Sequence, residues 1–76
     1  MGGVPVPNFG FLIKCDKFKV IDGKQVWRNK VGNRFYTWDS LHGEIETFDK
    51  QGFHLGALDP SGSFKKDPVR GRRLNV

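Results

Sequence analysis

Turn-forming residues punctuate this chain about every ten positions, at Asp22-Gly23, Gly32-Asn33, Lys50-Gln51-Gly52 and Asp59-Pro60-Ser61-Gly62, with few helix formers in a row between them. Segments that short leave room for strands and little else. Phe18-Lys19-Val20-Ile21 and Lys24-Gln25-Val26-Trp27 flank Asp22-Gly23. Asp-Gly between two such runs is the strongest short hairpin signal, because both residues tolerate the positive φ of a tight turn. Further strands are expected over Arg34 to Trp38, Glu44 to Phe48, Phe53 to Leu58 and Ser63 to Lys65. Residues 8–17 read equally as a strand or as a short helix packed on the sheet. The expected fold is mainly β, a small and highly twisted antiparallel sheet with room for a short N-terminal helix.

A chain of 76 residues is one domain at most, and one this small buries only roughly 60% of the surface its unfolded form exposes. Gly2-Gly3-Val4-Pro5-Val6-Pro7 reads as extended, since proline fixes φ and removes donors, so residues 1–8 are expected to be a linker and residues 9–76 the folded domain. Trp27, Phe35, Trp38 and Phe48 are expected in the core, with Tyr36 or Phe53 available to stack on a nucleobase. Cys15 is the single cysteine, expected as a small buried apolar residue. It excludes an intrachain disulfide, and no Cys/His spacing suits zinc, so neither metal nor cofactor is expected. The longest apolar run, Phe9 to Ile13, is too short for a membrane span or a signal peptide. The chain is expected to work in water as a monomer, with export supplied by a fused segment or a separate system.

Charge is distributed in blocks. Positions 1–38 carry seven Lys/Arg against two Asp, positions 39–59 one Lys against five acids, and positions 60–76 five Lys/Arg against Asp67. Each carboxylate repels phosphate, so a chain that only coats a polyanion has no use for an acidic block, whereas an enzyme acting on a polyanion does.

That block holds Asp39-Ser40-Leu41-His42-Gly43-Glu44-Ile45-Glu46. Strand alternation puts His42, Glu44 and Glu46 on one face, though Glu44 by itself is also what any half-exposed strand shows to solvent. Four residues of straight strand span roughly 13 Å, too far for an acid and a base to share one phosphate. Gly43 offers the remedy, and an irregularity over Ser40 to Gly43 is expected to swing His42 back over the sheet, within reach of Asp39. A carboxylate beside the imidazole would fix its tautomer. An acid and a base so placed suit cleavage of RNA without a metal, given a cation for the developing phosphate charge, for which Arg70, Arg72 and Arg73 are candidates. Arg72 and Arg73 read equally as a basic tail that grips RNA. His54 reads either as a further site residue or as a structural one.

Tyr36-Thr37-Trp38-Asp39-Ser40-Leu41-His42-Gly43-Glu44-Ile45-Glu46, His54-Leu55-Gly56 with Asp59-Pro60, and Asp67-Pro68-Val69-Arg70 together resemble the cytotoxic ribonuclease domain of the ribosome-cleaving E-type colicins and cloacin. Those are bacterial toxins that cut 16S rRNA in the decoding centre, and similar domains end contact-dependent inhibition toxins. Trp27 also stands at the family's spacing before Asp39, so the resemblance runs from Trp27 to Arg70, while the first 26 residues match nothing. The family's catalytic set is an Asp and a His three residues apart, a Glu four further on, and an Arg in a late Asp-Pro-x-Arg segment. Asp39, His42, Glu46 and Arg70 match it.

The resemblance implies Glu46 as general base on the ribose 2′-hydroxyl, His42 as general acid, Arg70 as the transition-state cation and Asp39 as the group that orients His42. The Glu46 and His42 roles exchange without contradicting the sequence. Candidate substrate contacts are Tyr36, Glu44, His54, Lys65, Lys66, Arg72 and Arg73. The implied partners are the 70S ribosome with its 16S rRNA and a tight, acidic immunity protein, and the implied setting is a larger secreted or surface-delivered toxin acting in the cytoplasm of a target bacterium. Compared with the family, the turn before His54 is one residue shorter, the loop before Asp67 is trimmed and the tail has fewer lysines. Two other readings stay open: a toxin ribonuclease acting on tRNA or mRNA, and a non-catalytic small β-barrel that binds RNA.

Overall fold

The computed structural model describes residues 3–76; Met1 and Gly2 of the expected linker lie outside the described residues. Six strands, β1 (Asp16–Ile21), β2 (Lys24–Arg28), β3 (Arg34–Asp39), β4 (Glu44–Asp49), β5 (His54–Leu58) and β6 (Phe64–Lys66), form one antiparallel sheet in chain order. The mainly β expectation holds, and each expected strand lies within a residue or two of its place. Residues 8–17 resolve into a single 3-10 turn, Leu12–Lys14, leading into β1.

The turns follow from the residues that make them. Asp22 and Gly23 take φ of 51° and 78°, the paired positive values of a tight hairpin turn. Asn29, Asp39, Asp49 and Asp59 stand ten residues apart, and the side-chain Oδ1 of each accepts backbone N–H groups of the loop that follows. Such side chains satisfy donors that a short loop leaves unpaired. The acidic block is therefore partly a set of loop clamps.

Alternation divides β3 and β4 between two faces. Phe35, Thr37 and Asp39 lie with Glu44, Glu46 and Phe48, while Tyr36 and Trp38 lie with Ile45 and Thr47. On the second of these faces Leu12, Trp27, Tyr36 and Ile45 make one core cluster, joined by Phe11, Cys15, Trp38 and Leu58. Val26, Phe35 and Phe48 make the other, on the first face, closed by Ile21 and Leu74. Each fully buried large apolar side chain contributes roughly 1.5–3 kcal/mol. Trp27, Phe35 and Phe48 are core as expected, whereas Trp38 and Cys15 are only half-buried. Tyr36 corrects the sequence reading: it is 5% exposed and meets the Phe11 ring edge-on at 4.9 Å, so its ring cannot stack on a base.

Two segments outside the strands pin the site. The Val4 N–H donates to the Ser40 carbonyl at 2.7 Å, and the Trp38 indole N–H donates to the Val4 carbonyl at 2.7 Å, so residues near the N-terminus strap the Ser40–Gly43 loop. At the other end the tail runs back along the start of β5. Leu74 N–H donates to the Gly52 carbonyl at 2.7 Å and His54 N–H to the Arg72 carbonyl at 3.1 Å.

Gly52 is required there twice over. Its φ is +92°, and a Cβ would collide with the Leu74 carbonyl oxygen. Gly23 has a comparable φ and open space around it. Gly52→Ala is thus expected to destabilise the chain by about 3 kcal/mol or more and Gly23→Ala by about 1 kcal/mol, as read by urea unfolding followed through tryptophan fluorescence.

Candidate active site

The loop between β3 and β4 carries the histidine. Gly43, at φ +66°, ends a four-residue turn closed by its N–H on the Asp39 carbonyl at 2.7 Å, and Asp39 pairs with Glu44 across it. The irregularity expected over Ser40 to Gly43 is therefore a hairpin loop rather than a bulge within a strand. His42 lies in that loop and not on the strand face shared by Glu44 and Glu46, which corrects the alternation reading and removes the 13 Å objection. Asp39 uses both oxygens: Oδ1 accepts the Leu41 and His42 N–H groups at 3.0 and 3.2 Å, and Oδ2 lies 2.8 Å from His42 Nδ1. A carboxylate only accepts, so Nδ1 carries a proton and Nε2 is the ring atom left to exchange one. Desolvation alone would raise the Asp39 carboxyl, but the His42 ring and the two loop N–H groups outweigh it and hold it below its ordinary value.

Glu46 is held from the other side. Its Oε1 receives His54 Nε2 at 2.6 Å and the Arg72 guanidinium at 3.0 Å. The His54 side chain is only 2% exposed, and its Nδ1 accepts the Val69 backbone N–H at 2.8 Å. Occupied as an acceptor at Nδ1, the ring that fits both contacts is the Nε2–H tautomer, a donor to Glu46. Oε2 of Glu46 has no hydrogen bond among the described residues and is not among the buried unpaired atoms. It is the oxygen open to a proton.

Two bulges aim these groups. Thr47 pairs with Gly56 and Phe48 with His54, so Leu55 is an extra residue that brings His54 and Ala57 to the same cleft, although three residues of regular strand would set them on opposite faces. On β6 the extra residue is Lys65. Lys65 and Lys66, neighbours that a regular strand would point apart, both reach Glu44 Oε2, at 3.1 and 3.0 Å. Glu44 is 2% exposed and not a solvated strand residue, because the two ammonium groups compensate its burial. Desolvation pushes its carboxyl up, and the hydrogen bonds and charges of Lys66 and Lys65 more than reverse that, leaving it below its ordinary value.

Asp39, His42, Glu44, Glu46, His54, Lys66 and Arg72 thus line one cleft of about 180 Å³ with Ala57, Asp67 and Val69. Donor atoms of Asp39, His42 and Glu44 lie within 4.8 Å of one another. Asp39 Oδ2 already faces the His42 proton, though, and Glu44 carries two cations, a combination that disfavours a divalent ion. Arg70 is placed differently from the sequence expectation. Arg72 N–H donates to the Val69 carbonyl at 3.2 Å, closing a turn with Gly71 at φ +85°, so Arg70 projects from the turn tip and does not line the cleft. Arg73 stacks 4.9 Å over the Phe53 ring and donates from Nε to the Gln51 carbonyl at 3.1 Å, and it lines a neighbouring hollow with Glu46 and Arg72 rather than this cleft.

A family model described as Cytotoxic matches residues 14–75, which hold every residue of this cleft. The chain belongs to the Cytotoxic family. The match begins within the first 26 residues and takes in β1 and β2, further than the sequence motifs alone reached. Colicin E3 of Escherichia coli is 43% identical over 50 residues, and Colicin-E6 of the same organism 38% identical over 50. Each alignment covers 63% of this chain but 9% of the colicin, so the Cytotoxic domain corresponds to a small part of those proteins.

Depressed carboxyls give the Cytotoxic domain an acid-sensitive site. Ionised Asp39 and Glu44 favour the folded state, so their contribution is complete above the unfolded carboxylate range near pH 4 and is lost as pH falls through their lower folded values. Glu44→Gln is expected to lower stability at neutral pH, with the gap to the parent narrowing at about pH 3, in urea unfolding at the two pH values. An equal gap at both would deny the ion-pair role.

Proposed function

We propose that this chain is the nuclease end of a larger bacterial toxin and stops translation by cutting 16S rRNA in the ribosomal decoding centre. The observation that carries the reading is the pairing of an open carboxylate oxygen, Glu46 Oε2, with an open imidazole nitrogen, His42 Nε2, across one cleft. Family membership and the likeness to two colicins support it.

In this proposal Glu46 Oε2 takes the proton of a ribose 2′-hydroxyl, and the freed oxygen attacks the adjacent phosphorus. The bond to the 5′-oxygen breaks, and that oxygen leaves with the Nε2 proton of His42 in its imidazolium form, which leaves the ring neutral with its Nδ1 proton still facing Asp39. The products are a 2′,3′-cyclic phosphate and a 5′-hydroxyl. Asp39 orients His42, while His54 and Arg72 keep Glu46 aimed. Arg70 serves as the cation on the phosphate, since its turn neighbours Val69 and Arg72 both line the cleft and its side chain at the turn tip is long enough to swing over a bound phosphate. Lys65 and Lys66 neutralise Glu44 beside the incoming phosphates.

Residues 9–76 act as the toxic domain, with residues 1–8 leading in from the rest of the toxin, which is delivered from outside and acts in the target cell's cytoplasm. The net charge of +5 suits a tight, acidic immunity protein that binds one copy of the domain and protects the producing cell. Intact bacterial 70S ribosomes incubated with the chain in the presence of chelator are expected to release one discrete 3′ fragment of 16S rRNA. His42→Ala and Glu46→Gln are expected to lower the rate by about 10²- to 10⁴-fold with the fold intact. Intact 16S rRNA with cleaved tRNA or mRNA would move the substrate, and no cleavage at all would leave an RNA-binding module.

A further inference from the structure

Resting on the nuclease reading above, we propose a second RNA subsite beside the catalytic cleft, which takes one flanking nucleotide of a single strand and holds its phosphate on Lys24. The catalytic cleft, at about 180 Å³, is smaller than the roughly 300–1,000 Å³ of typical ligand pockets. It has room for a ribose–phosphate junction and leaves the neighbouring nucleotide to be held elsewhere. On the far side of Glu46 and Arg72 lies a second cleft of about 360 Å³, which shares Asp39, Glu46 and Arg72 with the first. The proposed base and its arginine are therefore a saddle between two hollows, and a strand laid across the saddle presents its reacting phosphate there and one neighbour to the second hollow.

The second cleft follows from the sheet. β2 and β3 pair only at Trp27↔Tyr36 and Arg28↔Phe35, whereas β3 and β4 pair from Arg34↔Asp49 to Asp39↔Glu44. Beyond Tyr36 the two strands part, and the largely buried Thr37 borders the gap above a floor of Phe48 and Leu74. Lys24 lies two residues from Val26, on the same face of β2, and so on the face that carries Glu46. Among the described residues Lys24 makes no ion pair or side-chain hydrogen bond, although Asp39 and Glu46 line the same cleft. With Arg72 and Arg73 it gives this hollow three cations around an apolar floor, a composition that suits an anionic nucleotide rather than an uncharged ligand.

The test uses the full chain carrying His42→Ala, which binds without cutting, and a fluorescein-labelled single-stranded RNA 12-mer of mixed sequence with every ribose 2′-O-methylated. Lys24→Ala is expected to weaken binding by about 5- to 10-fold and to reduce the slope of log affinity against log salt by about 0.7, the loss of one phosphate contact on a single strand. Lys17→Ala removes the same charge from the opposite face, where Lys17 lines an apolar hollow with Trp27, and is expected to stay within about twofold. In the His42-containing chain, Lys24→Ala is expected to raise KM for ribosomes and spare kcat. Equal effects of Lys24→Ala and Lys17→Ala, with the parent chain still cutting RNA, would overturn the second subsite alone. A parent chain that cuts no RNA would overturn the nuclease reading instead.

Discussion

The contact on which the rest of the structure depends is the short chain Val69 N–H to His54 to Glu46. It joins β4, β5 and the segment after β6 through one buried imidazole. In so small a chain, burying a ring with two polar nitrogens is tolerable only because both are satisfied, and losing either partner would leave a desolvated polar atom at a cost of about 1–3 kcal/mol. The same contact brings Arg72 to the carboxylate, since the tail segment that contributes Val69 also contributes the arginine. Fold and chemistry therefore rest on the same atoms. The group that staples the tail to the sheet is also the group that leaves one Glu46 oxygen open.

A second economy lies in the loops. Asn29, Asp39, Asp49 and Asp59 repeat one device, a side-chain oxygen that gathers loop N–H groups. Asp39 alone uses its second oxygen on a histidine ring, which converts an ordinary turn into half of an acid/base site. The N-terminal strap adds rigidity where it is needed, because Val4 holds Ser40 and Trp38 on either side of Asp39.

Much of this was legible in the residues. Turn chemistry located the strands, and the spacing of Asp39, His42 and Glu46, with a glycine between, predicted a chain reversal that brings acid and base together. Tyr36 was misread because alternation alone does not say which face of a two-sided sheet the N-terminal segment covers; Phe11 and Leu12 cover this one. Glu44 was misread because its partners are consecutive lysines, and only a bulge turns consecutive residues the same way. A bulge leaves no mark in periodicity, which also hid the part played by His54. Arg70 stands outside the cleft lining, at the tip of a turn whose signal, Gly71 after a proline-containing run, was present but weak.

The two histidines hold opposite tautomers, and NMR reads them directly. In a long-range proton–nitrogen correlation spectrum recorded where both rings are neutral, His54 is expected as the Nε2–H tautomer and His42 as the Nδ1–H tautomer. A His54 ring protonated on Nδ1 could not accept the Val69 N–H, and that result would contradict the arrangement that holds Glu46.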